Sequence, residues 1–211
     1  MSVFITFEGP EGSGKTTQAE LLKDNLTSQG HSVLLTREPG GTSLGEKIRT
    51  LLLDPDHGEM DALTELFLYE AARSQHVIER IQPALEEGTI VISDRFADAS
   101  LVYQGMAREL GKPTVEELNQ LATRGLTPDL TFIMDVPFDD GLDTARQKSE
   151  AQWGEGDRIE QESGEFHRRV RNAYRELADS DPDQYLVLSK SKSIDTIQES
   201  VLNRVKEFFE S

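Results

Sequence analysis

Val3-Phe4-Ile5-Thr6-Phe7-Glu8-Gly9-Pro10-Glu11-Gly12-Ser13-Gly14-Lys15-Thr16-Thr17 is the stretch on which the fold turns. Its first five residues are apolar or β-branched, the composition of a strand. Gly9 to Thr16 then fit G-x-x-x-x-G-K-[ST] at every fixed position, and Ala19, Leu22 and Leu26 recur at helical spacing until Gly30. A glycine-rich turn between a strand and a helix lets backbone N–H groups curl around an anion at the positive helix end. Gly9, Pro10, Glu11, Gly12, Ser13, Gly14, Lys15, Thr16 and Thr17 are therefore candidates for holding a nucleoside triphosphate. Lys15 would reach the outer phosphates and Thr16 a Mg²⁺ ion.

Four further apolar runs follow: Ser32 to Thr36, Thr89 to Ile92, Leu130 to Met134 and Tyr185 to Leu188. They are nearly continuous instead of alternating, as strands buried on both faces are, and helical stretches separate them. That pattern predicts a five-stranded parallel sheet with helices on both faces. Asp61 is placed to cap a long helix carrying Leu63, Leu66, Phe67 and Val77. Thr114 opens T-V-E-E, a capping-box pattern, before Leu118 and Leu121. Phe138 to Glu150 and Ile159 to Leu177 read as two helices around a polar, glycine-bearing interval, Gln147 to Gly156, expected to be mobile. No repeat or linker divides the chain, so one domain is expected.

Composition narrows the chemistry. With no Cys, thiol catalysis and Cys-ligated metals are excluded, and the four His lack ligand spacing, so any metal should be oxygen-bound. The balance of 22 basic and 39 acidic residues gives a net charge of −17. Such a field repels polyanions, which argues against nucleic acid and anionic membranes as partners. The N-terminus lacks signal-peptide features, and no run approaches the roughly 20 apolar residues of a spanning helix. A cytoplasmic location is expected.

A phosphate loop leaves the acceptor open. No N-K-x-D element of guanine-specific switches is present, and a compact chain favours phosphoryl transfer to a small molecule. Such transfer needs cations aimed at two phosphate groups and a second pocket. Asp94-Arg95 ends the third predicted strand, at the sheet edge where open α/β folds bind ligands, and Asp94 is a second candidate oxygen ligand for Mg²⁺. Tyr69 and Arg73 lie four residues apart on one helix face, an aromatic plate beside a planar cation.

Thr36-Arg37-Glu38-Pro39-Gly40-Gly41-Thr42, Tyr69-Glu70-Ala71-Ala72-Arg73, Asp94-Arg95-Phe96, Tyr103-Gln104-Gly105 and Asp157-Arg158-Ile159-Glu160 together resemble the bacterial-type thymidylate kinases, nearly end to end. The resemblance implies a P-loop fold of the nucleotide-kinase kind, transfer of the γ-phosphoryl of ATP to dTMP with Mg²⁺, and a homodimer. By position it implies that Glu11, Glu38 and Pro39 line the acceptor pocket and that Tyr69 stacks on thymine, where the family more often has Phe. It also implies that Arg73 bonds the thymine carbonyl, Arg49 and Arg95 hold the acceptor phosphate, Ser100 faces the base, and Tyr103, beside Gln104, excludes a ribose hydroxyl. Asp157 and Glu160 match acidic positions bordering this site.

Two positions depart from the family pattern. Ala99 stands where Ser is usual, and the lid, taken as about 147–157, lacks the expected Arg before Gly154-Glu155. Arg146 and Arg158 are then the expected lid cations on the transferring phosphoryl, with Lys15 and Arg95 completing the catalytic set. The dimer interface is expected on a helix face around Leu63, Leu66 and Phe67. Another P-loop nucleoside or nucleotide kinase, or a slow nucleotide-dependent switch, are the competing readings of the phosphate loop.

Overall fold

A computed structural model describes residues 2–154 and 156–210, with the side chains of 138, 139, 146 and 148–151 outside the description. The strands are β1 (Phe4–Glu8), β2 (Val33–Arg37), β3 (Ile90–Asp94), β4 (Leu130–Asp135) and β5 (Tyr185–Ser189). They pair in parallel in the order β2-β3-β1-β4-β5, as the apolar runs predict. β1 and β4 are buried throughout, whereas the edge strands β2 and β5 are mostly half-exposed. Continuous burial thus holds for the centre of the sheet and relaxes at its margins, where one neighbour is missing.

Side chains alternate between two cores. Ile5, Phe7, Ile92, Phe132 and Met134 point to the face covered by α1 (Lys15–Ser28) and α9 (Ile194–Glu210). Phe4, Val91 and Ile133 point to the other face. There they meet α3 (Ala62–His76), which runs through a π-helical turn into α4 (Gln82–Glu86), together with the segment 97–107, which opens as the short helix α5 (Ala97–Ser100), and α8 (Gly164–Ser180). Phe7 stacks on Phe132 with ring centroids 5.1 Å apart, and Phe4 meets Phe96 edge to face at 4.8 Å. Each such buried ring contributes about 1.5–3 kcal/mol.

Helix caps explain most of the boundaries. Asp61 accepts N–H bonds from Leu63 and Thr64, as its position predicts, and Thr42 caps α2 (Ser43–Leu53) through the N–H of Gly45. Thr114 caps nothing: α6 (Lys112–Thr123) starts two residues earlier, with Gly111 at its N-cap and a proline in its first turn. α7 (Phe138–Trp153) extends past Glu150, so much of the polar interval is helical. α8 starts at Gly164, capped by Ser163, instead of Ile159. The five residues before Gly164 are diverted because the Asp157 carboxylate accepts the N–H groups of Ile159 and Glu160, while Glu160 accepts that of Asp157.

Leu66 is fully buried, so the expected interface face loses its central member; Leu63 and Phe67 are exposed, as is Leu51 of α2. Parallel pairing brings the carboxyl ends of all strands to one edge. There the phosphate loop is pressed between backbones. Gly9 and Gly12 have φ of +133° and +63°, and a Cβ on either would strike the carbonyl oxygens of Met134 and Gly141 respectively.

Gly141, in the first turn of α7, meets the same constraint from the opposite side: its Cβ would lie 2.5 Å from the Glu11 carbonyl oxygen. Ala ordinarily stabilises a helix interior by about 1 kcal/mol over Gly. Gly141→Ala should instead destabilise by about 1–3 kcal/mol, the usual cost of overpacking. Urea unfolding of the two proteins decides it, and an unchanged or raised midpoint would contradict the contact.

Candidate active site

The phosphate loop opens α1 with Gly14 in the left-handed region at φ +97°, which turns successive N–H groups inward. Lys15 Nζ donates to the carbonyls of Gly9 at 3.1 Å and Pro10 at 2.8 Å, so the loop's own oxygens hold the ammonium where outer phosphates would take over. Burial, then the nearby Arg95, brings its pKa down to about 8. Thr16 Oγ1 donates to Asp94 Oδ2 at 2.5 Å, which sets a hydroxyl and a carboxylate side by side at the ends of α1 and β3. Two adjacent hard oxygen donors beside a phosphate loop fit a divalent ion that keeps waters and phosphate oxygens as its other ligands. Among the described residues no cluster of three acidic or His side chains offers an all-protein metal cage.

Beyond the loop lies a cleft of about 730 Å³, lined by residues 11–16, Asp94 and, from α7 and its continuation, Ala145, Gln152 and Trp153. A second compartment of about 70 Å³ adjoins it. The two share Glu11, Glu38, Arg49, Leu53, Arg95 and Asp157 as walls. The expected acceptor residues gather in the second compartment: Pro39, Tyr69, Arg73, Ser100, Tyr103 and Gln104 line it with those shared walls, and Glu160 lines the adjoining cleft. Gly9, Pro10 and Thr17 line neither space.

Arg73 forms the floor, 1 % exposed. Its Nε donates to Glu38 Oε2 at 2.8 Å, its Nη1 to Glu70 at 2.6 Å, Ser100 at 3.0 Å and Asn119 at 2.9 Å, and its Nη2 to the Phe96 carbonyl at 2.9 Å. Burial works against this charge, but Glu70 and Glu38 outweigh it and keep the group protonated. Glu38 also meets His76 Nδ1 at 2.9 Å, while His76 Nε2 meets Thr36 at 2.6 Å. Arg49 donates to the Pro39 carbonyl at 3.0 Å, which holds it at the mouth.

Gln104 has one possible orientation. Its Nε2 donates to Glu65 Oε1 at 2.7 Å, and Glu65, fully buried, also receives Arg108 at 3.0 Å and forms an ion pair with Arg158 at 2.6 Å. Burial opposes the charge of Glu65, but Arg108 and Arg158 hold its pKa down, so it accepts only. The Gln104 amide nitrogen must therefore face Glu65, and its oxygen is left for the compartment.

Where the two spaces meet, Arg95 Nη2 donates to Glu11 at 2.7 Å and to the Tyr103 hydroxyl at 3.2 Å, with its guanidinium 5.0 Å from the Tyr103 ring centroid. Burial alone would raise the pKa of Glu11, but Arg95 and Lys15 overcome it and hold the carboxyl at about 2. Asp157 is pushed up to about 7, by burial first and by the Glu11 charge second. Arg95 and Lys15 thus face one firm anion, Glu11, beside the Asp157 carboxyl whose pKa lies near neutral.

Arg158 is not brought here. Its guanidinium is buried against Glu65 and donates Nε to the Leu52 carbonyl at 2.7 Å, and it lines neither space. It anchors the 157–160 turn to α2 and α3, which corrects the expectation that it swings toward phosphate. The Arg146 side chain lies outside the described residues. Sequence reading missed Glu65, His76 and Asn119, which reach the site through long-range pairing, Glu70, which pairs with Arg73 three residues on along α3, and also Glu8 and Tyr174. For Glu8 a signal exists, an acid closing an otherwise apolar strand, and burial with nearby Asp98 pushes its pKa up to about 8.

Comparison with known proteins agrees with this geometry. The family model described as Thymidylate kinase matches residues 7–201. Thymidylate kinase of Pelobacter propionicus is 49 % identical over 206 residues, covering 97 % of this chain and 94 % of that protein. The Halothermothrix orenii enzyme of the same name is 47 % identical, with 97 % and 96 % covered. The crystal structure of thymidylate kinase from Ehrlichia chaffeensis superposes with a TM-score of 0.77 at 35 % identity, over 97 % of this chain and 98 % of that one. The family-model match over residues 7–201, the near full-length identity and the shared fold place the chain in the thymidylate kinase family.

Proposed function

We propose that the protein transfers the γ-phosphoryl group of ATP to dTMP, giving dTDP and ADP. The observation that carries this reading is Arg95, which stands between Lys15 in the phosphate cleft and the Arg73 floor of the second compartment. It is placed to hold the acceptor phosphate in line with the donor, and positioning of this kind is most of what phosphoryl transfer requires. Thr16 and Asp94 would hold Mg²⁺, which when bound neutralises charge on the donor phosphates. No side-chain nucleophile is needed.

The floor favours a thymine edge. Four acceptors and one carbonyl occupy Arg73 apart from one Nη2 hydrogen, and Gln104 presents only its oxygen. A donor beside an acceptor matches the C4 carbonyl and N3–H of thymine and opposes the reversed pair of cytosine. Tyr69 forms the stacking wall, and Tyr103, 5 % exposed beneath Glu11, leaves little room for a ribose hydroxyl.

The segment 147–157 acts as a lid in this reading, supported by Gln152 and Trp153 on the cleft wall, and Arg146 supplies its cation. Exposed Leu51, Leu63 and Phe67 support a homodimer across α2 and α3, which sedimentation at 23.6 kDa would refute. The described residues contain no helix long and apolar enough to cross a membrane; a cytoplasmic site of action suits a nucleotide substrate.

A coupled ADP-release assay is the direct test. dTMP should be turned over with kcat/KM at least about 10³-fold above dCMP, because the wrong base leaves buried polar groups unpaired. Equal use of both, or release without acceptor, contradicts the proposal. Arg146→Ala should lower kcat with the KM for dTMP little changed, as for an interaction made in the transition state; wild-type kinetics would remove Arg146 from the mechanism.

Lys15 gives the pH dependence. With a folded pKa of about 8 against an ordinary 10.5, its charge is disfavoured by the ligand-free fold, a penalty present below pH 8 that fades as pH rises toward 10.5. A bound triphosphate reverses the preference and favours the ammonium. Above pH 8 binding must therefore take up a proton, and ATP affinity should fall by up to about tenfold per pH unit. Titration of ATP binding between pH 7 and 9.5 should show this limb in the wild type and a flatter one in Lys15→Ala; equal slopes would exclude Lys15 as the titrating group.

A further inference from the structure

Glu8 closes β1 immediately before the phosphate loop and is fully buried, and it lines neither compartment. Both of its oxygens are engaged. Oε1 accepts the backbone N–H of Phe96 at 2.7 Å, and Oε2 accepts the hydroxyl of Tyr174, on α8, at 2.8 Å. Each bond leads to Arg95. Phe96 follows Arg95 directly, and Arg95 holds φ of +74°, a left-handed conformation that a residue with a Cβ adopts only under constraint. The Tyr174 hydroxyl in turn accepts from Arg95 Nη1 at 3.2 Å. One buried carboxylate thus fixes the backbone behind Arg95 and, through a phenol, the far side of its guanidinium.

We propose that Glu8 and Tyr174 are positioning residues that hold Arg95 in the conformation in which its other nitrogen faces Glu11 and the acceptor phosphate. The inference rests on the reading of Arg95 as the acceptor-phosphate cation. Proton accounting makes the arrangement directional. A phenol has one proton to donate, and Tyr174 spends it on Glu8, so its lone pairs are left for Arg95. Two donors converge on Glu8, the pattern a carboxylate accepts, although burial and Asp98 favour its protonation. A glutamine of the same shape cannot replace it. Its single oxygen serves either the Phe96 N–H or the Tyr174 hydroxyl, and its amide hydrogens then meet the other donor.

The test is a double-mutant cycle in the coupled assay with Glu8→Gln, Arg95→Ala and the combined variant. Glu8→Gln should raise the KM for dTMP about tenfold while the KM for ATP stays within about twofold, and should add less than about twofold once Arg95 is absent. A parallel rise in both KM values, or a full tenfold effect in the Arg95→Ala background, would show a general structural role and overturn the proposal. Tyr174→Phe keeps the ring that packs 6.3 Å from Tyr103 and removes only the hydroxyl. If Glu8→Gln does not fold, the cycle is run with Tyr174→Phe, which should raise the KM for dTMP about threefold alone and not at all without Arg95. Additivity in that cycle overturns the proposal equally. An unchanged KM for dTMP in Arg95→Ala alone would instead defeat the assignment of Arg95 to the acceptor phosphate.

Discussion

Anions must be gathered at a sheet edge that is itself acidic. Three of the five strands end in acids, Glu8, Asp94 and Asp135, and parallel pairing sets those ends side by side. In a chain of net charge −17 no general field draws phosphate in, so each carboxylate has to be occupied locally before a nucleotide can approach. Asp94 receives Thr16 at 2.5 Å, Asp135 receives Arg171 at 2.6 Å, and Glu8 receives a backbone N–H and a phenol. With these acids satisfied by dedicated partners, Lys15 and Arg95 keep charge to offer a ligand.

The same logic governs the acceptor floor. Buried guanidinium groups are tolerated where acceptors surround them, and Arg73 has two carboxylates, a hydroxyl, an amide and a carbonyl. That saturation leaves a single direction in which the group can still donate. Saturation on the Glu65 side likewise leaves Gln104 a single direction in which to accept. Two groups on the compartment wall, each held by its partners to one remaining direction, are preorganised toward whatever enters it.

Much of this was legible along the chain, because strands, phosphate loop and acceptor motifs are each written in contiguous residues. Thr36 to Thr42, Tyr69 to Arg73 and Asp94 to Gly105 carry side chains that meet in one compartment, and the sheet order explains the meeting: β2, β3 and β1 are neighbours. Two of the failures come from distant partners and one from a stronger local signal. Arg158 reads as a loop cation by sequence, yet its partners are Leu52 and Glu65, about a hundred residues away, and no local pattern encodes them. Leu66 fits an exposed stripe until α8 and the 97–107 segment cover it. Thr114 satisfies a capping pattern, but Pro113 and the positive φ of Gly111 start the helix sooner.

The burial of Arg158 ties the turn after α7 to the second compartment. Glu65 receives Gln104, which lines the second compartment, and pairs with Arg158, which fixes the turn carrying Asp157 and Glu160. That turn lies on the shared wall of the two compartments, a few residues past the end of α7. Whatever motion α7 undergoes against the phosphate loop, the chain after Gly156 is held by a buried ion pair to α3, and a buried pair resists separation because either charge alone would be uncompensated. Asp157 is therefore fixed to α3 through its neighbour Arg158, on the C-terminal side of the stretch that begins at Gly154. Gly154 and Gly156, with φ of +63° and +111°, are the positions there whose backbone already occupies the region that glycine alone adopts freely.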